Sequence, residues 1–272
     1  MFIENAWYVA AWDREVGRQN MLRRTLLDIP VVLYRREDGA PVALEDRCCH
    51  RHAPLSKGKL KGDNVECPYH GLLYDPSGRC IRVPGQAAIP PGARVRAFPT
   101  VERYHWVWIW MGDPAAADPD LIEDFHWTDD PAWRARGEKL DLEGNYVLLV
   151  ENLLDLSHLS YIHPTTLGTD AVAETPMKAE REGELVRVYF WAQAHDFRID
   201  EPWVTDLLYE NVHTAFLEDL EIIQLQQDNI NTAPDRPRVD INHDGGGIQA
   251  RRIIESRIAA ERGAEPLAAA GE

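Results

Sequence analysis

Four side chains near the start of the chain have the types and spacing to hold a metal centre. Cys48 and His50 form a Cys-x-His pair, and Cys67 and His70 form a Cys-x-x-His pair on a separate turn. Two thiolates and two imidazoles divided in this way match a [2Fe–2S] cluster in which the cysteines hold one iron and the histidines the other. Each loop then supplies one ligand to each iron. A structural zinc site is the alternative use of the same four residues. Zinc ligands usually pair Cys with Cys and His with His, whereas here the types are mixed within each pair.

A second group lies further along. Asn145 to Ile162, NYVLLVENLLDLSHLSYI, reads as a helix. At roughly 100° per residue, Asn152, Asp155 and His158 fall within an arc of about 120°, shared with Leu148, Leu159 and Ile162. His163 follows, and Pro164 ends the helix, so His163 can turn back toward the same point. One histidine on such a face is more often a satisfied core residue. Two, with an Asn and an Asp alongside, favour a metal site. Two histidines and one carboxylate make the usual non-haem Fe(II) site with open positions. The segment from Pro202 to Ile230 gives a long helix that offers the carboxylate. Val204, Leu208, Val212, Ala215, Phe216, Ile222 and Ile223 make one apolar stripe, with Asp219 near its centre. Glu218 sits at the stripe's margin and Glu221 points away, so both are expected in solvent. A carboxylate within a buried stripe is costly unless it is paired or bound to a cation. Pairing with an Arg is the bland alternative; Asp219 is the candidate metal ligand.

The elements that position these residues divide into two domains, the natural number for 272 residues. Residues 1–112 read as all-β, with short β-branched or aromatic segments and turn signals at Asp38-Gly39 and Asp75-Pro76-Ser77-Gly78. Val101 to Met111 alternates around Trp106, Trp108 and Trp110, as a half-buried strand does. Gly112 to Pro119 reads as a linker, and residues 113–272 as a helix-rich second domain whose tail after Arg262 is expected to fray. The fold class is therefore α+β. A net charge of −16 makes nucleic acid and anionic lipid poor partners. No apolar run approaches the length of a membrane span. No secretory signal is evident at the N-terminus. With Cys48 and Cys67 used as ligands, Cys49 and Cys80 read as ordinary thiols, and a reducing cytoplasm is expected.

The flanks of the loops, HRHAPLS and CPYHG, resemble Rieske proteins of the ferredoxin and oxygenase branch. Respiratory Rieske proteins carry an extra cysteine beside each pair; here Cys49 lies inside the first pair, and Pro68 and Tyr69 fill the second. Over most of its length the chain resembles the vanillate O-demethylase group of Rieske non-haem iron oxygenases, with dicamba and toluenesulfonate monooxygenases among its members. The likeness runs through NAWYVA, VENLLDLSHLSYIH, AFLEDLEIIQLQQ and INHDGGGIQARRIIESRIAAE. It implies a helix-grip-type α+β catalytic domain and a mononuclear Fe(II) held by His158, His163 and Asp219. It also implies that Asp155 bridges His158 to His70 of a neighbouring subunit in a cyclic homotrimer, and that Asn152 sits beside the iron. The implied partners are O2, an aromatic substrate and a reductase that draws electrons from NAD(P)H. The implied reaction is O-demethylation of a methoxylated aromatic acid. The alternatives are hydroxylation of another aromatic such as an aryl sulfonate, or electron transfer with an inactive second domain.

One departure matters. Members of that group carry on the order of seventy further residues between about Glu184 and Phe190, whereas here Thr165 to Glu201 holds text for only about two strands, fewer than a free-standing sheet needs. Either the chain carries a true deletion, or residues have been closed up in the sequence as written. The intact flanks favour the second, which a mass near 31 kDa would exclude.

Overall fold

A computed structural model describes residues 1–168, 170–173, 175–190 and 201–263. The chain divides into two compact units, residues 1–131 and 132–272.

The first unit is built on β2 (Leu22–Leu26), β3 (Ile29–Arg35) and β4 (Pro41–Glu45), joined by tight turns. Gly39 supplies the positive φ of +88° that the second of these turns requires. Side chains alternate across a strand, and both faces of β3 are buried. Val31 and Leu33 pack with Ala43, Val107 and Ile109; Val32 and Tyr34 pack with Leu44, Val65 and Tyr74 on the other side. The sheet thus separates two cores. On one side lies the antiparallel sheet β1–β11–β10, made of Trp7–Trp12, Trp106–Trp110 and Thr100–Arg103. On the other lies a small four-stranded sheet of β5 (Lys59–Lys61), β6 (Asn64–Glu66), β7 (Leu73–Tyr74) and β8 (Cys80–Arg82). The remaining strand, β9 (Ala97–Phe98), extends the central sheet beside β4.

Two expectations change here. The tryptophan strand β11 is buried on both faces rather than one, because it is central in its sheet and its outer face is covered. Phe125 stacks 6.3 Å from Trp108 and meets Trp106 edge-on at 5.5 Å, while Trp7 packs edge-on against Trp110. The cover comes from Phe125, in a part that the sequence assigns to the second domain and that belongs to the first unit, and the Gly112 to Pro119 stretch before it is ordered rather than a loose linker. That stretch is a run of capped 3-10 turns at 114–116 and 119–121, tied to the strands by Trp7 Nε1 donating to the Asp118 carbonyl and Asp113 N donating to Asn5 Oδ1.

In the second unit the helix expected from Asn145 to Ile162 is broken. α1 runs from Tyr146 to Leu154, and Asp155 is extended at φ −119°, ψ 97°. A single 3-10 turn, Leu156–His158, and the short α2, Leu159–Ile162, follow. The break is made by Asp155 itself. Its Oδ1 accepts from Ser157 N at 2.9 Å and Ser157 Oγ at 2.6 Å, capping a new helical turn at the expense of the old one. After α3 (Asp170–Ala173), β12 (Met177–Glu182) and β13 (Leu185–Phe190) form a two-stranded antiparallel sheet. α4 (Pro202–Thr232) opens on a proline, and α5 (Gly245–Glu261) packs on α1 and the strands. Gly246 and Gly247 permit that approach: a Cβ on Gly246 would lie 2.6 Å from Val188 Cγ2. The sequence WAQAHDFRID and the tail from residue 264 lie outside the described residues. Among the described residues no helix is long and apolar enough to cross a membrane.

Candidate metal centres

In the first unit, Cys48 and His50 sit on the loop after β4, and Cys67 and His70 on the loop between β6 and β7. Backbone bonds close both loops: Cys48 N donates to Ala53 O at 2.9 Å, and Cys67 N donates to Leu72 O at 2.8 Å. Gly71, at φ +70°, reverses the second loop. The two cysteines are buried, the two histidines exposed, and the imidazole rings lie 4.6 Å apart between centroids. All four cysteines of the chain are free thiols.

The surroundings of the sulfurs fit a cluster. Burial pushes the Cys67 thiol up, while the backbone N–H groups of Tyr69 and His70 favour its thiolate. Metal ligation deprotonates such a thiol outright, and those N–H groups then face a charged sulfur. The Tyr74 hydroxyl lies 3.1 Å from Cys48 Sγ and 3.2 Å from Cys49 Sγ. Burial, then the two cysteines, hold its pKa far above the ordinary phenol value, so it remains a donor. Cys49 thus shares the Tyr74 hydroxyl with Cys48, and Cys80 is a core residue. Asp46, buried at the base of the first loop, accepts from Ser56 N at 2.6 Å and Ser56 Oγ at 2.7 Å. Neither Tyr74 nor Asp46 is singled out by sequence reasoning; nothing but burial marks them.

In the second unit His158, His163 and Asp219 come together, with one ligand atom from each lying within 4.8 Å of the others. The break at Asp155 re-aims His158, while α2 and the turn after it bring back His163. Three backbone N–H groups, from Thr166, Leu167 and Gly168, converge on the His163 carbonyl and fix that turn. Asp219 arrives from α4, whose stripe is only partly covered: Ala215 and Ile223 are buried, but Val212 and Ile222 are exposed.

Protonation follows from the hydrogen-bond partners. His158 Nδ1 faces the Asp155 carbonyl, and His163 Nδ1 lies 2.7 Å from Glu218 Oε2. Both partners are acceptors, so each Nδ1 carries the proton and each Nε2 presents a lone pair. His163 Nε2 is fully buried and has no hydrogen-bond partner, although Asp219 Oδ1 is 3.2 Å away. His158 Nε2 lies 3.4 Å from the same oxygen. Lone pairs gathered side by side without a proton between them are what a cation requires. Asn152 Nδ2 donates to Asp219 Oδ1 at 3.0 Å, steadying the carboxylate. Glu218 is therefore not a solvated margin residue, as its place on the helical wheel suggests; its neighbour on the helix and it reach opposite nitrogens of one imidazole.

Beside these residues lies a cleft of about 170 Å³, bordered by Asn152, Asp155, His158, Arg238 and Arg251. Glu151 at its wall receives both guanidinium groups, Arg238 Nη1 at 3.0 Å and Arg251 Nε at 2.7 Å.

Comparison with known proteins gives a consistent set of matches. A model of the Rieske [2Fe–2S] domain matches residues 6–99. A model of the vanillate O-demethylase oxygenase C-terminal domain matches in two pieces, 142–188 and 185–260. The chain is 37% identical to the iron–sulfur subunit of the toluene-4-sulfonate monooxygenase system of Comamonas testosteroni, covering 97% of this chain and 99% of that protein. It is 31% identical to the vanillate O-demethylase oxygenase subunit of a Pseudomonas species, over 86% and 96% of the two chains. Dicamba monooxygenase crystallised with 3,6-dichlorosalicylic acid superposes with a TM-score of 0.87 at 30% identity, over 96% of this chain and 99% of that one. The first of these alignments needs 343 positions to accommodate 272 residues, and the C-terminal match breaks between β13's first residues and their surroundings. The break in the family match falls at β13, which pairs with β12.

Proposed function

The chain belongs to the Rieske non-haem iron oxygenases as the oxygenase component of an aromatic monooxygenase, and from that premise we propose that it O-demethylates a methoxylated aromatic acid. The observation that carries the reading is the convergence of His158, His163 and Asp219 with both Nδ1 atoms satisfied and the buried His163 Nε2 left over. Cys48, His50, Cys67 and His70 would hold the [2Fe–2S] cluster, and the triad a mononuclear Fe(II). Iron held there would supply O2 activation, the chemistry by which one oxygen atom enters a methyl C–H bond and the other leaves as water at the expense of two electrons and two protons. A hydroxylated O-methyl group decomposes to formaldehyde and the phenol.

The chain's own residues prepare the site. Glu218 and the Asp155 carbonyl hold the Nδ1 protons, and Asn152 orients Asp219. Asp155 Oδ1 is committed to Ser157, and no described residue engages Oδ2. We assign that oxygen to the partner subunit's His70, in a cyclic homotrimer whose cluster receives electrons from an NAD(P)H-dependent reductase in the cytoplasm. The test is Asp155→Asn. Both metal centres should remain while electron transfer between them stops; unchanged turnover refutes the bridge.

A second reading, hydroxylation of the methyl group of an aryl sulfonate, draws support from the match to the toluene-4-sulfonate system over nearly the whole chain. Incubation with methoxybenzoates and with toluene-4-sulfonate, in the presence of a surrogate reductase, separates the two. Formaldehyde identifies O-demethylation and a benzylic alcohol the sulfonate reaction. Iron content tests both at once: about three atoms per chain accords with an oxygenase, and two with an electron carrier.

A further inference from the structure

We infer that Glu218 is a positioning residue for the mononuclear metal centre, fixing the tautomer and the basicity of His163 from the far side of the ring. The inference rests on the iron-site reading above and concerns a residue outside the ligand set. His163 is wholly buried, so its ring has no water to exchange a poor partner for a better one. Its Nδ1 meets Glu218 Oε2 at 2.7 Å, and its Nε2 meets Asp219 Oδ1 at 3.2 Å. Consecutive residues on α4 therefore flank one imidazole, with Glu218 bonded at Nδ1 and Asp219 close to Nε2 without a hydrogen bond. Successive side chains on a helix stand about 100° apart, enough to straddle an aromatic ring inserted between them.

The two histidines are not equivalent. His158 Nδ1 faces a neutral carbonyl, whereas His163 Nδ1 faces a carboxylate. A charged acceptor makes the stronger hydrogen bond and pushes electron density toward the opposite nitrogen. Carboxylate–histidine pairing of this kind raises ligand basicity and locks ring orientation. Glu218 thus makes His163 the stronger donor of the pair and, in the neutral ring, places the proton on Nδ1 so that Nε2 offers its lone pair. Glu221, one turn on and exposed, is bonded to neither ligand and supplies the control.

The experiment uses the full chain with its cluster in place and its mononuclear site emptied by a mild chelator. Cobalt(II) is titrated against a chromophoric competitor, and cluster absorption reports folding. Wild type should bind one cobalt per chain. Glu218→Ala should bind it about 10- to 100-fold more weakly, and Glu218→Gln should fall between, since its amide oxygen still accepts the Nδ1 proton. Glu221→Gln should match wild type. If the alanine variant does not fold, Glu218→Met, of similar length without an acceptor, replaces it. Wild-type affinity in Glu218→Ala or Glu218→Met overturns the inference alone, as does an equal loss in Glu221→Gln, which would mark a general charge effect. A wild-type chain that binds no cobalt overturns the iron-site reading and this inference with it.

Discussion

Replacing Asp46 should release the first cluster loop. Its carboxylate is buried and accepts two hydrogen bonds from Ser56, at 2.6 and 2.7 Å, with Arg23 Nε 3.1 Å away. Ser56 stands just past the loop that carries Cys48 and His50, so these bonds tie the loop's exit to its entrance. A hydrogen bond to a charged group contributes roughly 1.5–3 kcal/mol. Arg23 is 55% exposed, and its ion pair is worth at most about 1 kcal/mol after screening. In Asp46→Ala the Ser56 hydroxyl can turn to water but its backbone N–H is left stranded, so we expect a loss of about 3–4 kcal/mol. That is a large share of the ~5–15 kcal/mol by which a domain is stable. Urea denaturation followed by the visible absorption of the cluster measures it, with Arg23→Ala as the reference for the ion pair alone. A loss below about 1 kcal/mol in Asp46→Ala, or one no larger than in Arg23→Ala, would show that the loop does not depend on this carboxylate.

Two further outcomes follow from close contacts. Tyr74→Phe removes the hydroxyl 3.1 Å from Cys48 Sγ, a donor that favours the reduced cluster. At about 1.4 kcal/mol for such a bond, the one-electron reduction potential should fall by roughly 60 mV, read by spectroelectrochemistry. An unchanged potential would mean the hydroxyl does not reach the cluster. Gly246→Ala places a methyl 2.6 Å from Val188 Cγ2 and 3.1 Å from the Leu154 carbonyl. Overpacking of this kind costs about 1–3 kcal/mol, and thermal unfolding of the second unit should register it without change in cluster absorption.

The candidate ligands could be picked out of the sequence because spacing restricts them. Cys48, His50, Cys67 and His70 need only two tight loops, and turn residues mark both. The approach of His163 could be read from Pro164, which stops the helix. What could not be read was the break at Asp155. NYVLLVENLLDLSH has no glycine or proline to announce it, and the cause is a side chain that prefers to cap. The Asp-x-Ser spacing was the available signal. Glu218 was misplaced for a different reason. A helical wheel ranks positions by distance from the apolar stripe, but His163 enters from another element and meets α4 at the stripe's edge. The tryptophan strand was half legible. Alternation identified it as a strand, while its outer cover comes from Phe125, in residues that the sequence assigned to the second domain.

The gap in the alignments falls between the candidate iron ligands in the sequence. His158 and His163 precede the gap and Asp219 follows it, yet the three converge because α4 is held by the segment leading into α1. Arg136 lies 3.8 Å over the Tyr209 ring, Tyr209 and His213 both bond Glu138, and Asn145 N donates to Gln227 Oε1 at 2.8 Å. Ligand geometry therefore depends on helix contacts that the gap leaves alone. Enclosure of a substrate depends on something else. Ligand sites usually occupy about 300–1,000 Å³, and the cleft beside His158 offers about 170 Å³. β12 and β13 stand as a pair, and Leu207, Leu217 and Leu225 of α4 are about half exposed. The convergence of the candidate ligands thus draws on the helices, while enclosure of a substrate would draw on what stands around the cleft. Iron content and coupling of electrons to product must for that reason be measured separately: a full complement of iron attests to the helices, and only product attests to the pocket.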